Sequence, residues 1–208
     1  MAYGIWENGK LIAKFAAPLT LRSNVPMFVS DTLSLRRFTY QRAVQRWELD
    51  AKLAPQSTTA NDLMVNLITK GYSEILTITT PQNVGAKANL TAIADIYTAA
   101  NAAVFSTQVT IAATPDQNGR VIPKGTFINF GNVGKVFMLT SDLVLSSTST
   151  SVANIHPQLR TAVTAATQVK YKDDVLMRVR YDTDVVRGMV YEDGILMDNG
   201  IVKFIEAV

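Results

Sequence analysis

Only a few residues in this chain have the chemistry for catalysis or ligand binding. His156 is its only histidine. Acid–base catalysis or a histidine-rich metal site needs partners placed around that ring. Here it precedes Pro157 at an expected strand-to-helix junction, an ordinary structural position. The run GNVGK at 131–135 carries the glycine and lysine that end a phosphate-binding loop. That loop requires Gly-x-x-x-x-Gly-Lys-Ser/Thr, because backbone amides cradle the phosphates and the hydroxyl holds magnesium. Asn129 stands where the first glycine belongs and Val136 replaces the hydroxyl, so GNVGK reads as a hairpin turn. Asp173, Asp174, Asp182 and Asp184 lack the alternate spacing and sixth-position glycine of a calcium loop. Glu192 and Asp193 read as the corner of a hairpin rather than an acid/base pair. There is no cysteine, which excludes thiolate nucleophiles, disulfides and cysteine-ligated metals. No catalytic, cofactor-binding or metal-ligating residue is assigned, no cofactor is implied, and the chain is expected not to be an enzyme.

One basic constellation remains. Arg36, Arg37, Arg42 and Arg46 lie in one strand-rich stretch, and Arg178, Arg180 and Arg187 in another, interleaved with Phe38, Tyr40, Trp47 and Tyr181. Arginine with stacking aromatics is the pattern of a single-stranded nucleic-acid face. The plainer reading puts the arginines on the polar faces of strands whose aromatics point into the core. A further reading pairs them across subunits with acids such as Glu48 and Asp50. The last two readings are preferred together. The net charge of +3 is mild and the basic residues are spread out, so no sequence-specific nucleic-acid binding is expected.

The elements that must position these residues are mostly strands. The chain of 208 residues is 48% hydrophobic and 18% charged, enough for one large or two small domains. On folding, a chain of this size buries roughly 70% of its extended surface. MAYGIWENGK carries a turn where a secretory leader needs an apolar run, so none is expected there, and no stretch reaches the roughly 18–20 apolar residues of a membrane helix, so no membrane partner is expected. Asn8-Gly9, Asp193-Gly194 and Asn199-Gly200 each separate apolar runs, the strongest short-range hairpin signal. They predict a first hairpin at 1–15 and a three-strand meander at 185–207. Residues 33–54 are too long for one strand and predict two antiparallel strands with a break near 41–43. The second alternates Trp47, Leu49, Ala51 and Leu53 against Glu48, Asp50 and Lys52. A helix is expected from a cap at Ser57 or Thr58 to Gly71, followed by the strand EILTITT, stopped at Pro81.

Residues 83–104 fit two readings. One is a helix with Leu90, Ile93, Ile96 and Tyr97 on one face, and the other is a long excursion before QVTIAA. The alanine content favours the helix. Short strands broken by Gly, Pro, Asn and Asp then fill 108–170, with a type II turn at Pro123-Lys124-Gly125 and a brief helical turn opened by Pro157. Arg178 and Arg180 alternate with Val175, Met177, Val179 and Tyr181 in a returning strand. Strand runs with sparse helices mean a mainly β, α+β chain. It is expected to divide into one domain at 1–82 and 171–208 and an inserted small β-barrel domain at 83–170.

The phrase VIPKGTFINFGNVGKVFMLTSDL resembles one recurring in phage tail and baseplate proteins, through Gly125, Phe127, Ile128, Lys135, Val136, Phe137, Thr140 and Asp142. HPQLRTAV at 156–163 resembles the same family's Pro-x-Leu segment, DDVLMRVRYDTD its returning strand, and QRWELDAKLAP its early strand before the helix. The similarity spans about 33–184, is structural, and leaves 83–104 without a counterpart. The family is that of phage distal tail and baseplate hub ring proteins. It implies a tail-tube-like antiparallel β-barrel or sandwich with one helix, carrying an inserted oligosaccharide-binding-type β-barrel. It also implies a structural protein of the bacteriophage virion, made in the host cytoplasm and located at the tail tip or baseplate. Such proteins self-associate into a hexameric ring that joins the tail tube protein to the hub, baseplate or fibre proteins. The alternative is a carbohydrate- or nucleic-acid-binding β module, since barrels of this type host both. Another tail tube or completion protein is a further option. A cell-wall hydrolase lacks a nucleophile–base–orienter set.

Overall fold

The computed structural model describes residues 3–7, 9–32, 36–41, 44–54, 75–82, 95–113, 117–131, 133–146, 148–172, 174–182, 190–193, 195–198 and 201–207. The expected helix at 57–71 lies outside them.

The fold is mainly β, built on two closed antiparallel barrels. The first barrel takes β1 (Gly4–Glu7), β2 (Lys10–Asn24), β5 (Arg46–Leu53), β6 (Leu76–Thr79), β15 (Leu176–Tyr181) and β18 (Ile201–Glu206). Their order around it is β1-β2-β5-β18-β15-β6, closed by β6 against β1. The first and last of the described strands therefore belong to one barrel. Glu7 faces Lys10, leaving two residues for the turn, and Gly9 holds φ +76°, the left-handed region that glycine tolerates. Gly4 is required for a different reason: a Cβ there would lie 2.0 Å from the carbonyl oxygen of Ala13 on the paired strand. The expected alternation holds on β5, where Trp47, Leu49, Ala51 and Leu53 are buried. It also holds on β15, where Met177, Val179 and Tyr181 point inward and Arg178 and Arg180 outward.

The second barrel follows the order β10-β11-β13-β8-β7-β14. Its strands are β7 (Ile96–Thr98), β8 (Gln108–Ala112), β10 (Phe127–Phe130), β11 (Val136–Leu139), β13 (Ser151–His156) and β14 (Gln168–Lys170). Two short strands, β9 (Val121–Ile122) and β12 (Leu143–Val144), pair beside it. Two hairpins stand apart from both barrels. One is β3 (Met27–Asp31) with β4 (Arg37–Gln41), the other β16 (Val190–Glu192) with β17 (Ile195–Asp198).

Several expectations are corrected. The meander at 185–207 does not form: β16 and β17 pair with each other, whereas β18 pairs with β5 and β15. Val202 and Phe204 are fully buried, so the apolar face of β18 gains more from closing the barrel than from extending a hairpin. The two strands of 33–54 exist, but they do not pair with each other; β4 pairs with β3, and β5 with β2 and β18. The helix favoured over 83–104 gives way to strand at Ile96–Thr98, which pairs with β14 and β8. Residues 83–94 lie outside the described residues, and 99–104 run on without a helix, Ala102 bridging to Val163. Pro157 opens no helical turn. The amides of Leu159 and Val163 donate to the distant carbonyls of Ser106 and Ala102, not to carbonyls one helical turn back. In the turn at 123–126 Pro123 is the first residue, accepting from Thr126 N, and Gly125 is the third, at φ +82°.

Candidate functional site: the seam between the barrels and an exposed hairpin

The candidate groups singled out in the sequence scatter. His156 pairs with Met138 within the second barrel. GNVGK turns β10 into β11 as a hairpin. Asp174 accepts from the backbone of Lys172, and Asp193 sits at a hairpin corner with φ +49°. Asp173 and Asp184 lie outside the described residues, as do Arg42 and Arg187. Among the described residues no group of three His, Cys, Asp or Glu side chains could hold a metal ion. No helix among them is long and apolar enough to cross a membrane.

The arginines do not form one stripe. Arg37 bonds Asp31 at 3.1 Å on the exposed hairpin, and Arg46 bonds Glu48 at 3.3 Å on β5. Arg178 and Arg180 lie on β15, separated from β5 by β18. Trp47 and Tyr181 point into the core, as the plain reading expects, but Phe38 and Tyr40 do not. The acids Glu48 and Asp50 already have partners in the chain: Asp50 meets Arg22 at 2.8 Å, and Glu48 accepts from Asn24 at 2.6 Å.

A site that the sequence reading missed lies between the barrels. Along β10 and β11, Ile128, Phe130, Phe137 and Leu139 fill the second barrel. The alternate residues Phe127, Val136 and Met138 pack instead on the core of the first. This hairpin is covered on both faces, which is why FINF and VFML carry so little polar alternation. Trp47 reaches across from β5. Its indole donates to the carbonyl of Val136 at 2.9 Å, and its ring meets Phe127 edge-on at 5.3 Å. Gln82, in the link out of β6, brackets the backbone of Phe127: its Nε2 donates to the carbonyl at 2.7 Å and its Oε1 accepts the amide at 3.0 Å.

At the centre of the seam Lys135 meets Glu206, Nζ to Oε2 at 2.5 Å, with side-chain exposures of 2% and 0%. The carboxylate also accepts from Trp47 N at 3.1 Å and Val136 N at 3.0 Å, and the ammonium donates to the carbonyl of Gln45 at 2.9 Å. Asn129 supports the turn that launches Lys135, donating through Nδ2 to the carbonyls of Val133 and Lys135 at 3.0 Å each. Burial lowers the lysine's pKa below its ordinary 10.5; the charge and hydrogen bond of Glu206 raise it in part, and Arg160 adds to the lowering. A buried pair of this kind contributes little net stability, yet removing one partner costs about 3–5 kcal/mol because the other charge is stranded. The signal in the sequence was the register of IVKFIE: Val202, Phe204 and Glu206 share the inward face, so an acid sits where an apolar residue would be expected.

The second candidate surface is the β3–β4 hairpin. Phe28 faces Tyr40 and Ser30 faces Phe38, so three aromatics share one side. Phe28, Phe38 and Tyr40 are 56%, 60% and 68% exposed, and Met27 and Val29 on the other side are also more than half exposed. An isolated two-stranded hairpin is marginal in water, and exposed apolar surface grouped in this way marks an interaction site. No protein-family model matches the chain, and no curated protein matches it.

Proposed function

We propose that this is a non-enzymatic structural protein of a phage tail tip or baseplate that assembles into a ring, with six copies expected, between the tail tube and the hub or fibres. The observation that carries the reading is the β3–β4 hairpin, whose aromatic side is exposed in the single chain. A second copy is the occupant that the ring reading supplies. Repeating one heterologous contact around a closing rotation covers every hairpin and leaves none free. The same contact would protect the hairpin's outer edges from open-ended pairing. Support also comes from the motif resemblance between 33 and 184 and from the paired barrels.

The test is self-association. The purified chain is expected to form closed multimers by mass photometry and negative-stain microscopy. Phe38→Ser with Tyr40→Ser is expected to yield monomers with an unchanged far-UV circular dichroism spectrum. A wild-type chain that stays monomeric across micromolar concentrations and is absent from assembled tails would overturn the reading. Salt-sensitive retention of that monomer on single-stranded DNA would favour the binding-module alternative.

A further inference from the structure

We propose that Glu206 is a latch that fixes the second barrel on the first, so that the orientation of the second barrel depends on β18 being in place. The two carboxylate oxygens gather donors from two barrels. Trp47 N belongs to the first, while Val136 N and Lys135 Nζ belong to the second. Glu206 itself is held by strand pairing: it faces Val179 on β15, where Ala207 N also donates to the carbonyl of Arg178 at 2.8 Å, and on the other side its neighbour Ile205 faces Glu48 on β5. If β18 were unpaired, Lys135 would keep only the Gln45 carbonyl, and two buried amides would lose their acceptor. Such groups are costly to leave unsatisfied. Closing the first barrel and seating the second are therefore one event.

The Trp47–Phe127 contact and the Gln82 bracket add shape and hydrogen bonds to the seam. Neither carries a charge, and neither draws on β18. Both fasteners remain available to a second barrel that has slipped its anchor. The charged anchor, which tolerates little displacement, sets the single orientation. This inference is independent of ring assembly, since every contact in it lies within one chain.

Trp47 is the natural reporter, because the only other tryptophan is Trp6. In a Trp6→Phe background, Glu206→Gln is expected to red-shift the Trp47 emission and raise its acrylamide quenching constant at least threefold. Hydrogen exchange at the amides of Trp47 and Val136 should quicken at least tenfold. Exchange at Ile78 in the first barrel and Ile155 in the second should stay within a factor of two. Lys135→Met, which leaves both backbone bonds to the carboxylate, should give a smaller change at the same probes. If Glu206→Gln does not fold, Glu206→Asp keeps the charge but withdraws it by one methylene, and the same pattern is expected. Unchanged quenching and exchange at Trp47 and Val136 in a folded Glu206 variant would overturn the latch. So would acceleration of equal size at Ile78 and Ile155, which would mean general destabilisation.

Discussion

At the scale of single residues, the decisive feature is a charged pair placed where water cannot reach it. Lys135 and Glu206 are together buried, and desolvation outweighs their attraction enough to hold the lysine's pKa below 10.5. Between the lowered folded value and the ordinary unfolded one, the unfolded chain binds the extra proton, so stability rises with pH across that window. Urea titrations from pH 7 to 10 should show this climb in the wild type, reduced in Lys135→Met. Tyr171 acts in the opposite sense. Burial, reinforced by the charges of Asp95 and Asp174, pushes its pKa well above the ordinary 10.0, so its contribution to stability falls as pH rises beyond 10. The climb should therefore be sought below pH 10.

At the scale of elements, the β10–β11 hairpin serves two cores, and its turn must hold its shape for both. Asn129 makes it do so, buried with both amide hydrogens spent on the carbonyls of Val133 and Lys135. Asn129→Ala leaves those carbonyls short of a donor and should cost about 1–3 kcal/mol in urea unfolding. The β3–β4 hairpin is the contrasting case. Its exposed Asp31–Arg37 pair contributes little, and its aromatics are more than half exposed. Substitutions there should alter association far more than folding, which makes them useful in testing assembly.

At the scale of the whole molecule, two barrels share one buried hairpin and one ionic anchor. The expected consequence is cooperative unfolding. Trp47 fluorescence, which reports the seam in the Trp6→Phe variant, and far-UV circular dichroism, which reports all strands, should give coincident urea transitions. Two separated transitions in that variant would mean that the barrels are energetically independent. The arrangement also places the β3–β4 hairpin and the second barrel on the same rim of the first barrel. β2 leaves for the hairpin at Asn24, beside Arg46, and β6 leaves for the second barrel at Thr79, beside Leu176. The start of β5 and the start of β15 both lie near Glu206, where β18 ends.

The strands themselves were legible in local chemistry. Period-two alternation marked β5 and β15, Asn-Gly and Asp-Gly steps marked the first turn and the β16–β17 turn, and the dense turn residues of 108–170 marked a separate β region. These signals act over two to eight residues, so the amino acids alone determine them. Pairing was not legible. The apolar face of IVKFIE fits a hairpin with ILMD as well as it fits a slot between β5 and β15, and only burial inside a closed barrel chooses between them. The same limit hid the seam. Lys135 and Glu206 are 71 positions apart, and a carboxylate on an apolar register looks like an error until its donors arrive from another barrel. The sequence by itself determined which segments extend and which face of each is apolar, because those are contests between neighbouring residues. Tertiary structure decided which faces meet and where a buried charge is affordable, because desolvation and hydrogen bonding are settled only by the groups that close around it.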